Sequence, residues 1–327
     1  MANEIKKPMR TLTVSGRLSL AMHSLNNEGT EGNQQITRMV TVVRPNGTLE
    51  TVNAISGDMF KHILAEHLLR AAEKAELPLS TGAKEFSANR VMRQGGAFAE
   101  WVKSEEGKNA SQADVIRKLI KECAVTDLLG ILITEGGKSV PRKSVIEFGW
   151  VVGIPDEVRT DSFFHVKYDS SRGASRDQEQ QTGQAIFHRP ASSGRYATVL
   201  TVELDRIGFN DIDRTQVLDD TAQTKRRRAV LESLLATFIE PAGAHRNTQN
   251  PHIVGFEGVV AVSRGAMPAP TVSALNPEFT EQIKNIAAAL NQVDKGTIEI
   301  RPFADLAAFA QIMAAIIVDA QPSSTME

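Results

Sequence analysis

The chain has 327 residues, of which 41% are hydrophobic and 23% charged, as in globular proteins that bury a sizeable core. A formal net charge of −2 argues against a broadly basic nucleic-acid binder, although it leaves room for a local basic groove. A single cysteine excludes an intrachain disulfide, and no apolar run is long enough to cross a bilayer, so we expect a cytoplasmic protein without a membrane partner.

The first elements in chain order are a strand, a loop, a hairpin and a helix. Alternating apolar residues predict a strand over residues 10–22, and the polar, glycine-rich stretch HSLNNEGTEGNQQ predicts a loop after it. The segment TRMVTVVRPNGTLETVNAI predicts a hairpin that turns at PNG. Apolar residues spaced three and four apart then predict a helix from Gly57 to about Ala75.

The middle of the chain combines a helical segment with strand-like sequence. Residues 79–122 predict two helices, SANRVMRQGGAFAEWVKS and SQADVIRKLIKEC, joined by the loop EEGKNA, with Ser111 as the N-cap of the second. The sequence from Asp127 to Pro155 is again strand-like. The apolar arms FFHVKY and AIFHRP flank the polar DSSRGASRDQEQQTGQ, which predicts a projecting β-hairpin.

The last part of the chain alternates strand and helix. RYATVLTVELDRIGF and HIVGFEGVVAVS predict strands on either side of an amphipathic helix, TKRRRAVLESLLATFIEPAG, that ends near Gly243. The remainder is predicted to be helical, over about 275–292 and 303–319. This order of elements indicates an α+β fold of the ferredoxin-like or RNA-recognition-motif (RRM) type, enlarged by insertions.

The junction at residues 53–69, NAISGDMFKHILAEHLL, joins a strand to a helix and admits two interpretations. Ser56 stands where an N-cap belongs, and the free amides and dipole of a helix start attract anions such as phosphate. Gly57 has no Cβ that would keep a ligand away, and Lys61 lies one turn further on. Asp58 opposes anion binding, because its carboxylate would repel a phosphate. The residues alone therefore leave open a capped structural helix and an anion site.

Several motifs resemble known signatures but fail their spacing requirements. ITEGGKS lacks the first glycine of a phosphate-binding P-loop and is followed by Pro141, so it predicts a turn. His62 and His67 lie five residues apart on a helix and point away from each other, so they cannot share a metal, and His67 falls on the apolar stripe. No nucleophile elbow occurs. The run KRRR, Lys225 to Arg228, is either a nucleic-acid patch or the solvated first turn of a helix.

Six stretches occur in the order found in a known family: GRLSLAMHSLNNEG, NAISGDMFKHILAEHL, CAVTDLLG, RKSVIEFGWVVGIP, QAIFHRPASSGRYATVLTVELDRIG and EPAGAHRNTQNPH. They span about residues 10–265, and the chain resembles the CRISPR-associated autoregulator family of DevR and Cst type, within the RAMP superfamily. That family supplies the repeated guide-RNA-binding backbone subunit of Cascade-type type I CRISPR complexes, which serve antiviral defence. The segment after residue 265 carries no part of the resemblance.

The resemblance implies a single hand-shaped subunit over residues 1–327, with a modified RRM or ferredoxin-like palm, helical fingers and a long β-hairpin thumb. The corresponding ranges would be a palm at 1–78, 123–160 and 197–265, fingers at 79–122, a thumb at 161–196 and a C-terminal helical segment at 266–327. In the family, copies stack head to tail along the CRISPR RNA (crRNA). Each thumb folds over the RNA held by its neighbour and flips a base out.

Matched position by position, the resemblance implies three groups of RNA contacts. Arginine and lysine would neutralise phosphates, and Phe187 or His188 would stack on a base. The implied contacts are, near the SGDMFKH turn, Asn26, Asn27, Arg38, Ser56, Gly57, Lys61 and His62; in the thumb, Lys167, Gln184, Phe187 and Arg189; and in the loop AGAHRN, Gly243, His245 and Arg246.

The resemblance implies binding without catalysis, and neither a cofactor nor a metal is expected. Related backbone subunits cleave target RNA with a loop aspartate, whereas the corresponding loop in this chain holds Glu28 and Glu31. The alternative is an endoribonuclease that uses His62 or a loop carboxylate, and a DNA-binding regulator ranks last because no helix-turn-helix is evident. The implied partners are crRNA, the target DNA paired with it, further copies of the chain and other Cascade subunits.

Overall fold

The structure, a computed structural model, describes residues 7–168, 184–242 and 247–320. The strands in these ranges are β1 Thr11–His23, β2 Asn27–Glu31, β3 Gln34–Thr37, β4 Met39–Val43, β5 Leu49–Ile55, β6 Ile131–Ile133, β7 Val140–Arg142, β8 Ile146–Phe148, β9 Val151–Tyr168, β10 Gln184–Glu203, β11 Phe209–Asn210, β12 Thr215–Gln216, β13 His252–Ser263 and β14 Ile298–Phe303. The α-helices are α1 Gly57–Lys74, α2 Thr81–Lys84, α3 Ala97–Lys103, α4 Glu105–Asn109, α5 Gln112–Glu122, α6 Ala124–Leu129, α7 Asp220–Ile239, α8 Phe279–Val293 and α9 Leu306–Asp319.

One large sheet organises the molecule. Its strands run in the order β14-β13-β1-β10-β9-β5-β4, and each neighbouring pair is antiparallel. β1 lies near the centre, where Leu18 has Tyr196 of β10 on one side and Phe256 of β13 on the other. The β2–β3 hairpin joins β10 through a parallel contact between Gln34 and His188. Because the side chains of a strand alternate between two faces, each face of this sheet needs its own cover.

Helices cover both faces of the sheet. On one face, the aromatic rings of Phe238 and Phe256 stack with centroids 4.6 Å apart, and Phe60 and Phe309 pack around them, which joins α1, α7 and α9 to β13. On the other face, Phe279 and its neighbours on α8 pack in a smaller cluster with Ala197 and Val259. The α+β class expected from the sequence is confirmed at this level, as a mixed α/β fold around a large antiparallel sheet.

Most of the expected elements are confirmed. β4 and β5 form the hairpin around PNG, with Val43 opposite Leu49. α1 and α5 begin after Ser56 and Ser111, and both serines cap their helices. ITEGGKS lies in the connection between the paired strands β6 and β7, as the failed P-loop pattern predicts. β9 and β10 pair along the base of the predicted thumb, whose tip at 169–183 lies outside the described residues.

Other segments differ from the expected secondary structure. The polar stretch after β1 is not a loop but the β2–β3 hairpin, because β10 offers it a neighbouring strand. EEGKNA forms α4 rather than a loop, and α6 extends to Leu129 where strand-like sequence was expected. Within residues 266–327, expected to be helical, β14 pairs with β13 and extends the sheet. α7 ends at Ile239 rather than near Gly243, since Pro241 cannot continue a helix.

The basic run KRRR has a role that neither interpretation foresaw. α7 begins at Asp220, so the run lies in the second turn of the helix. Arg226 is only 1% exposed, and its Nη1 donates to Oδ2 of Asp127 at 2.7 Å. Arg228 pairs on the surface with Glu232. Both the nucleic-acid patch and the solvated first turn are therefore wrong for Arg226, which is a buried structural arginine.

Among the described helices, none combines the length and the apolar character that crossing a membrane requires. The division of the chain into palm, fingers and thumb stays a prediction.

Candidate nucleic-acid interface

The strand–helix junction after β5 is held by two side-chain hydrogen bonds. Oγ of Ser56 accepts from the backbone N–H of Met59 at 3.1 Å, which satisfies one of the free amides at the start of α1. The N–H of Ser56 itself donates to Oδ1 of Asn26 at 2.8 Å. Ser56 and Asn26, both implied RNA contacts, therefore use these polar atoms to build the junction.

A chain of buried polar groups continues from the junction into the sheet. Nδ2 of Asn53 donates to Oγ1 of Thr37 and to the carbonyl of Arg38, both at 3.0 Å. The hydroxyl of Tyr196 donates to Oδ1 of Asn53 at 2.8 Å, so Nε2 of His23, also 2.8 Å away, must be the protonated ring nitrogen. Burial lowers the pKa of His23 to about 4 and raises that of Tyr196, which keeps both groups neutral. The chain is fully hydrogen-bonded, as a buried polar network must be to hold a fixed geometry.

Gly57 is required by packing rather than by ligand access. A Cβ at this position would lie 2.6 Å from the carbonyl oxygen of Phe148 and 3.3 Å from that of Gly149. The space beside Gly57 is therefore filled by the protein's own backbone at the end of β8. The missing Cβ therefore serves the contact between α1 and this backbone, and the implied contact of Gly57 with RNA stays a prediction.

Lys61 and His62 face a groove between α1 and the helical segment that follows it. This groove has a volume of about 580 Å³, and its lining includes Asp58, Lys61, His62, Phe86 and Arg90. Burial, and then the nearby charge of Arg90, lower the pKa of Lys61. The ring of His62 lies edge-on to Phe86 at 5.2 Å between centroids, and its Nε2 is 3.3 Å from a Glu66 carboxylate oxygen. By contrast, His67 is a core residue as predicted, with Nε2 2.9 Å from the carbonyl of Glu240.

Arg38 lies next to an aromatic residue that the sequence interpretation missed. Its guanidinium stands over the ring of Trp150 at 5.3 Å from the centroid, and Trp150 is 43% exposed. Trp150 lines a second groove, of about 290 Å³, together with Gly57 and Lys61. Cations beside an exposed aromatic ring are the groups that bind phosphates and stack on bases in single-stranded nucleic acids. The signal in the sequence was a tryptophan between two strand-like runs, in FGWVVG.

The thumb strands carry a second aromatic and cationic group. Phe187 stacks on His165 of the paired strand, with centroids 5.6 Å apart and planes 9° from parallel. The guanidinium of Arg189 lies over the Phe187 ring at 4.7 Å and donates to Oγ1 of Thr248 at 3.3 Å. On the opposite face, the exposed Phe164 packs edge-on against His188, a contact that the sequence interpretation also missed.

The other implied contacts are only partly visible. Lys167 pairs in register with Ala185, and Gln184 with Tyr168, at the outer end of the thumb strands, while their side chains lie outside what is described. Asn27 begins β2, and its side chain is likewise outside the description. Gly243, His245 and Arg246 lie outside the described residues altogether.

The described residues therefore bring six implied contacts to one region and leave two on the thumb. The first set is Asn26, Arg38, Ser56, Gly57, Lys61 and His62, gathered around the start of α1. Phe187 and Arg189 lie along β10, whose His188 N–H donates to the carbonyl of Asn33 before β3.

In the described ranges, no group of three or more His, Cys, Asp and Glu side chains is placed to hold a metal ion.

The mixed α/β fold around a large antiparallel sheet is shared with chains of solved CRISPR complexes. It is similar to a chain of a CRISPR RNA-guided surveillance complex in a pre-nicking state, with a TM-score of 0.51, 15% identity, and coverage of 95% of this chain and 100% of that chain. A chain of another CRISPR RNA-guided surveillance complex gives a TM-score of 0.50 at 13% identity, covering 95% and 99%. These likenesses define the fold class alone.

The sequence comparisons define the family. Residues 14–284 match the family model described as CRISPR-associated negative auto-regulator DevR/Csa2, and the chain belongs to this family. The CRISPR-associated protein Cas7/Cst2/DevR of Methanocaldococcus jannaschii is 27% identical over 292 residues, which cover 84% of this chain and 88% of that protein. The CRISPR-associated protein Cas7/Csa2 1 of Saccharolobus solfataricus is 24% identical over 272 residues, covering 80% and 82%. The resemblance identified in the sequence is thereby confirmed.

Proposed function

We propose that this chain is the crRNA-binding backbone subunit of a type I CRISPR Cascade surveillance complex. Copies of it would polymerise head to tail along the spacer and present the RNA for pairing with target DNA. The family and the fold shared with chains of surveillance complexes support the assembly. The observation that carries RNA binding is the surface around the start of α1, where Lys61 and the Arg38–Trp150 pair lie side by side.

The order of elements supports an RRM-like palm. β1, α1, β9, β10, α7 and β13 follow one another in the βαββαβ order, and their strands lie as β13-β1-β10-β9 in the sheet. This is the arrangement of a ferredoxin-like unit with the helices packed on one face. The helical segment between α1 and β6 would form the fingers, and the outer parts of β9 and β10 the thumb.

Recognition by such a surface would be independent of sequence. Lysine and arginine side chains neutralise phosphates whatever the base, and an aromatic ring stacks on any base. Target choice then resides in base pairing between guide and target. A chain with a net charge of −2 can do this, because each copy covers only a few phosphates.

The thumb would act on the RNA of the neighbouring copy. Arg189 and Phe187 form a preformed cation–aromatic unit on β10, in which the guanidinium can meet a phosphate while the ring contacts a base. We propose binding without cleavage for this chain. In that role the ribose and phosphate groups are held and not attacked, and His62 would support the Phe86 ring in the groove wall.

Co-expression with a CRISPR RNA tests the proposal directly. The purified wild-type protein should carry RNA, measured as a raised ratio of absorbance at 260 nm over 280 nm, and should form multimers of RNA-dependent length. Replacing both Arg38 and Lys61 by glutamine should strip most of this RNA. The matched control, Lys284→Gln on the exposed face of α8, should load normally. Wild-type protein that carries no RNA would contradict the proposed function.

A cleavage assay tests the non-catalytic part. Single-stranded RNA incubated with the wild-type protein and a divalent metal should stay intact. Cleavage that disappears in Glu31→Ala or His62→Ala would instead establish the endoribonuclease alternative.

A further inference from the structure

The groove between α1 and the helical segment contains two partly buried cations, Lys61 and Arg90. In the described part of the chain neither Lys61 nor Arg90 makes an ion pair, and the Arg90 guanidinium donates to the backbone carbonyl of Gly130. Burial lowers the pKa of both groups. Withdrawing a cation from water without a counter-charge is unfavourable, so such a pair favours an anion between its members. The charges of Asp58 and Glu147 offset part of this cost at Lys61. Arg142 also lines the groove but is paired with Asp127 and Asp211, so Lys61, Arg90 and Asp58 together leave one net positive charge, which one phosphodiester would neutralise.

The segment opposite α1 holds its backbone in an unusual conformation. Phe86 and Arg90 have φ angles of 53° and 43°, in the left-handed region that side chains with a Cβ rarely adopt. Both are fixed there by backbone hydrogen bonds, from Phe86 N to Ala83 O and from Arg90 N to Ser87 O, each 3.1 Å long. Phe86 is the left-handed residue that ends α2 in a Schellman motif, in which Ser87 N also donates to the carbonyl of Gly82 at 2.8 Å. Both side chains line this groove.

The groove also offers an aromatic wall. Phe86 is 39% exposed, an unusual fraction for a phenylalanine, and His62 supports its ring edge-on. An exposed ring fixed by a second ring is a suitable stacking platform for a base. The groove volume of about 580 Å³ lies within the range of about 300–1,000 Å³ that sites for small organic molecules span.

We propose that this groove binds one nucleotide of a single-stranded nucleic acid, with its base against Phe86 and its phosphodiester between Lys61 and Arg90. The inference rests on the proposed function, and it extends the site from α1 onto the helical segment, where it assigns Phe86 and Arg90. The same chemistry fits a nucleotide of the guide RNA and a nucleotide of a DNA strand. The two sources are separated by experiment.

Two variants remove the groove's ligand contacts without adding backbone strain. Asparagine tolerates the left-handed region better than other residues with a Cβ, so Phe86→Asn and Arg90→Asn should fold. Arg214→Asn is the matched control, because Arg214 is an exposed arginine with φ 60° outside the groove. Unfolding temperatures of all three should be measured beside the wild type, and Lys61→Gln replaces Arg90→Asn if that variant does not fold.

Photo-crosslinking of the co-expressed complex locates the nucleotide. One arm carries a guide RNA with 5-iodouridine, and the other arm adds a complementary oligodeoxynucleotide with 5-iododeoxyuridine. We expect a cross-link at Phe86 or His62 in at least one arm, and that arm identifies the source. In oligonucleotide titrations, each groove variant should bind about tenfold more weakly, the loss expected for one stacked base or one charged contact, while Arg214→Asn binds as the wild type does.

The outcomes separate this inference from the proposed function. If the protein carries guide RNA but neither arm cross-links at Phe86 or His62, the groove site is wrong and the proposed function stands. If both groove variants bind oligonucleotides within twofold of the wild type, the groove site is also wrong. Protein that carries no RNA contradicts the proposed function, and the oligodeoxynucleotide titrations then still decide the groove.

Discussion

Asp127 and Arg226 form an ion pair of 2.7 Å in which neither side chain reaches solvent. The other oxygen of Asp127 accepts from Arg142 at 2.6 Å, so one carboxylate serves two buried guanidinium groups. This arrangement ties α6, β7 and α7 together, and its Arg142 also lines the groove beside α1. A buried charge that loses its partner is left without solvation, which makes such clusters sensitive to the removal of any member.

We therefore expect Asp127→Ala to be the most destabilising change in this cluster, with a loss of about 3–5 kcal/mol of unfolding free energy. Arg226→Ala should be less severe, because Arg142 still neutralises the carboxylate. Arg228→Ala, in the same basic run but paired on the surface, should change stability by less than about 0.5 kcal/mol. Urea unfolding of the three variants checks this order, and a larger effect at Arg228 than at Arg226 would contradict it.

A substitution at Gly57 should damage folding rather than RNA binding. Gly57→Ala places a methyl group against the Phe148 carbonyl, with an expected loss of about 1–3 kcal/mol as the junction shifts. Gly255→Ala on β13 is the control, because the nearest atom to its added Cβ is 3.9 Å away. Thermal unfolding measures both. Equal stability of the two variants would show that the contact with Phe148 imposes no requirement for glycine.

The free energy of unfolding should fall as the pH is lowered from the ordinary pKa of His23 toward its pKa in the folded protein. Its pKa is about 4 in the folded state, against an ordinary value of 6.5, because the buried ring is kept neutral. Between these values the unfolded chain binds a proton that the folded chain does not, so the free energy of unfolding decreases by up to about 1.4 kcal/mol per pH unit. Above pH 6.5 this contribution is constant.

The comparison with His23→Gln isolates this effect from that of the carboxylates. Denaturant unfolding at pH 7, 6 and 5 should show a steeper loss for the wild type than for the variant, whose amide does not titrate. Parallel slopes for the two proteins would exclude His23 as the source.

Lys61 and Trp150 should affect RNA affinity in distinguishable ways. Removing one phosphate contact in Lys61→Gln should reduce the slope of log K against log salt concentration by about 0.7, the value for a single strand. Trp150→Ala should weaken binding by about 1–3 kcal/mol without changing that slope, because a stacked ring displaces no counterions. Titrations of single-stranded RNA between 50 and 200 mM salt measure both. A changed slope for Trp150→Ala, or an unchanged one for Lys61→Gln, would contradict the assignment of charge and stacking.

Local sequence patterns were sufficient to predict the secondary-structure elements that are stabilised mainly by their own side chains. The β4–β5 hairpin follows from PNG between alternating runs, and α1 and α5 follow from their serine caps and apolar spacing. The position of His67 in the core followed from the stripe it shares with its helical neighbours. Six stretches in register were also enough to identify the family, which the family model then confirmed over residues 14–284.

The sequence could not give the contacts that depend on residues far apart in the chain. β2 and β3 form a hairpin because β10, about 150 residues later, pairs with it, and no local pattern contains that partner. Arg226 looked solvated in a basic run because its counter-charge, Asp127, comes from another helix 99 residues away. Trp150 could be proposed as a nucleic-acid contact only because the structure shows the Arg38 guanidinium over its ring.

What the sequence by itself determined is the family, the antiparallel α+β class and the strand–helix junction at Ser56 and Gly57. Only the tertiary structure decided what that junction does. The Phe148 carbonyl occupies the space beside Gly57, and Oδ1 of Asn26 accepts a hydrogen bond from the backbone N–H of Ser56. The tertiary structure also placed Lys61 near Arg90 in one groove, where neither makes an ion pair within the described residues. The burial of a side chain and its ion pairs depend on which residues far apart in the sequence come into contact. Tertiary packing alone determines those contacts.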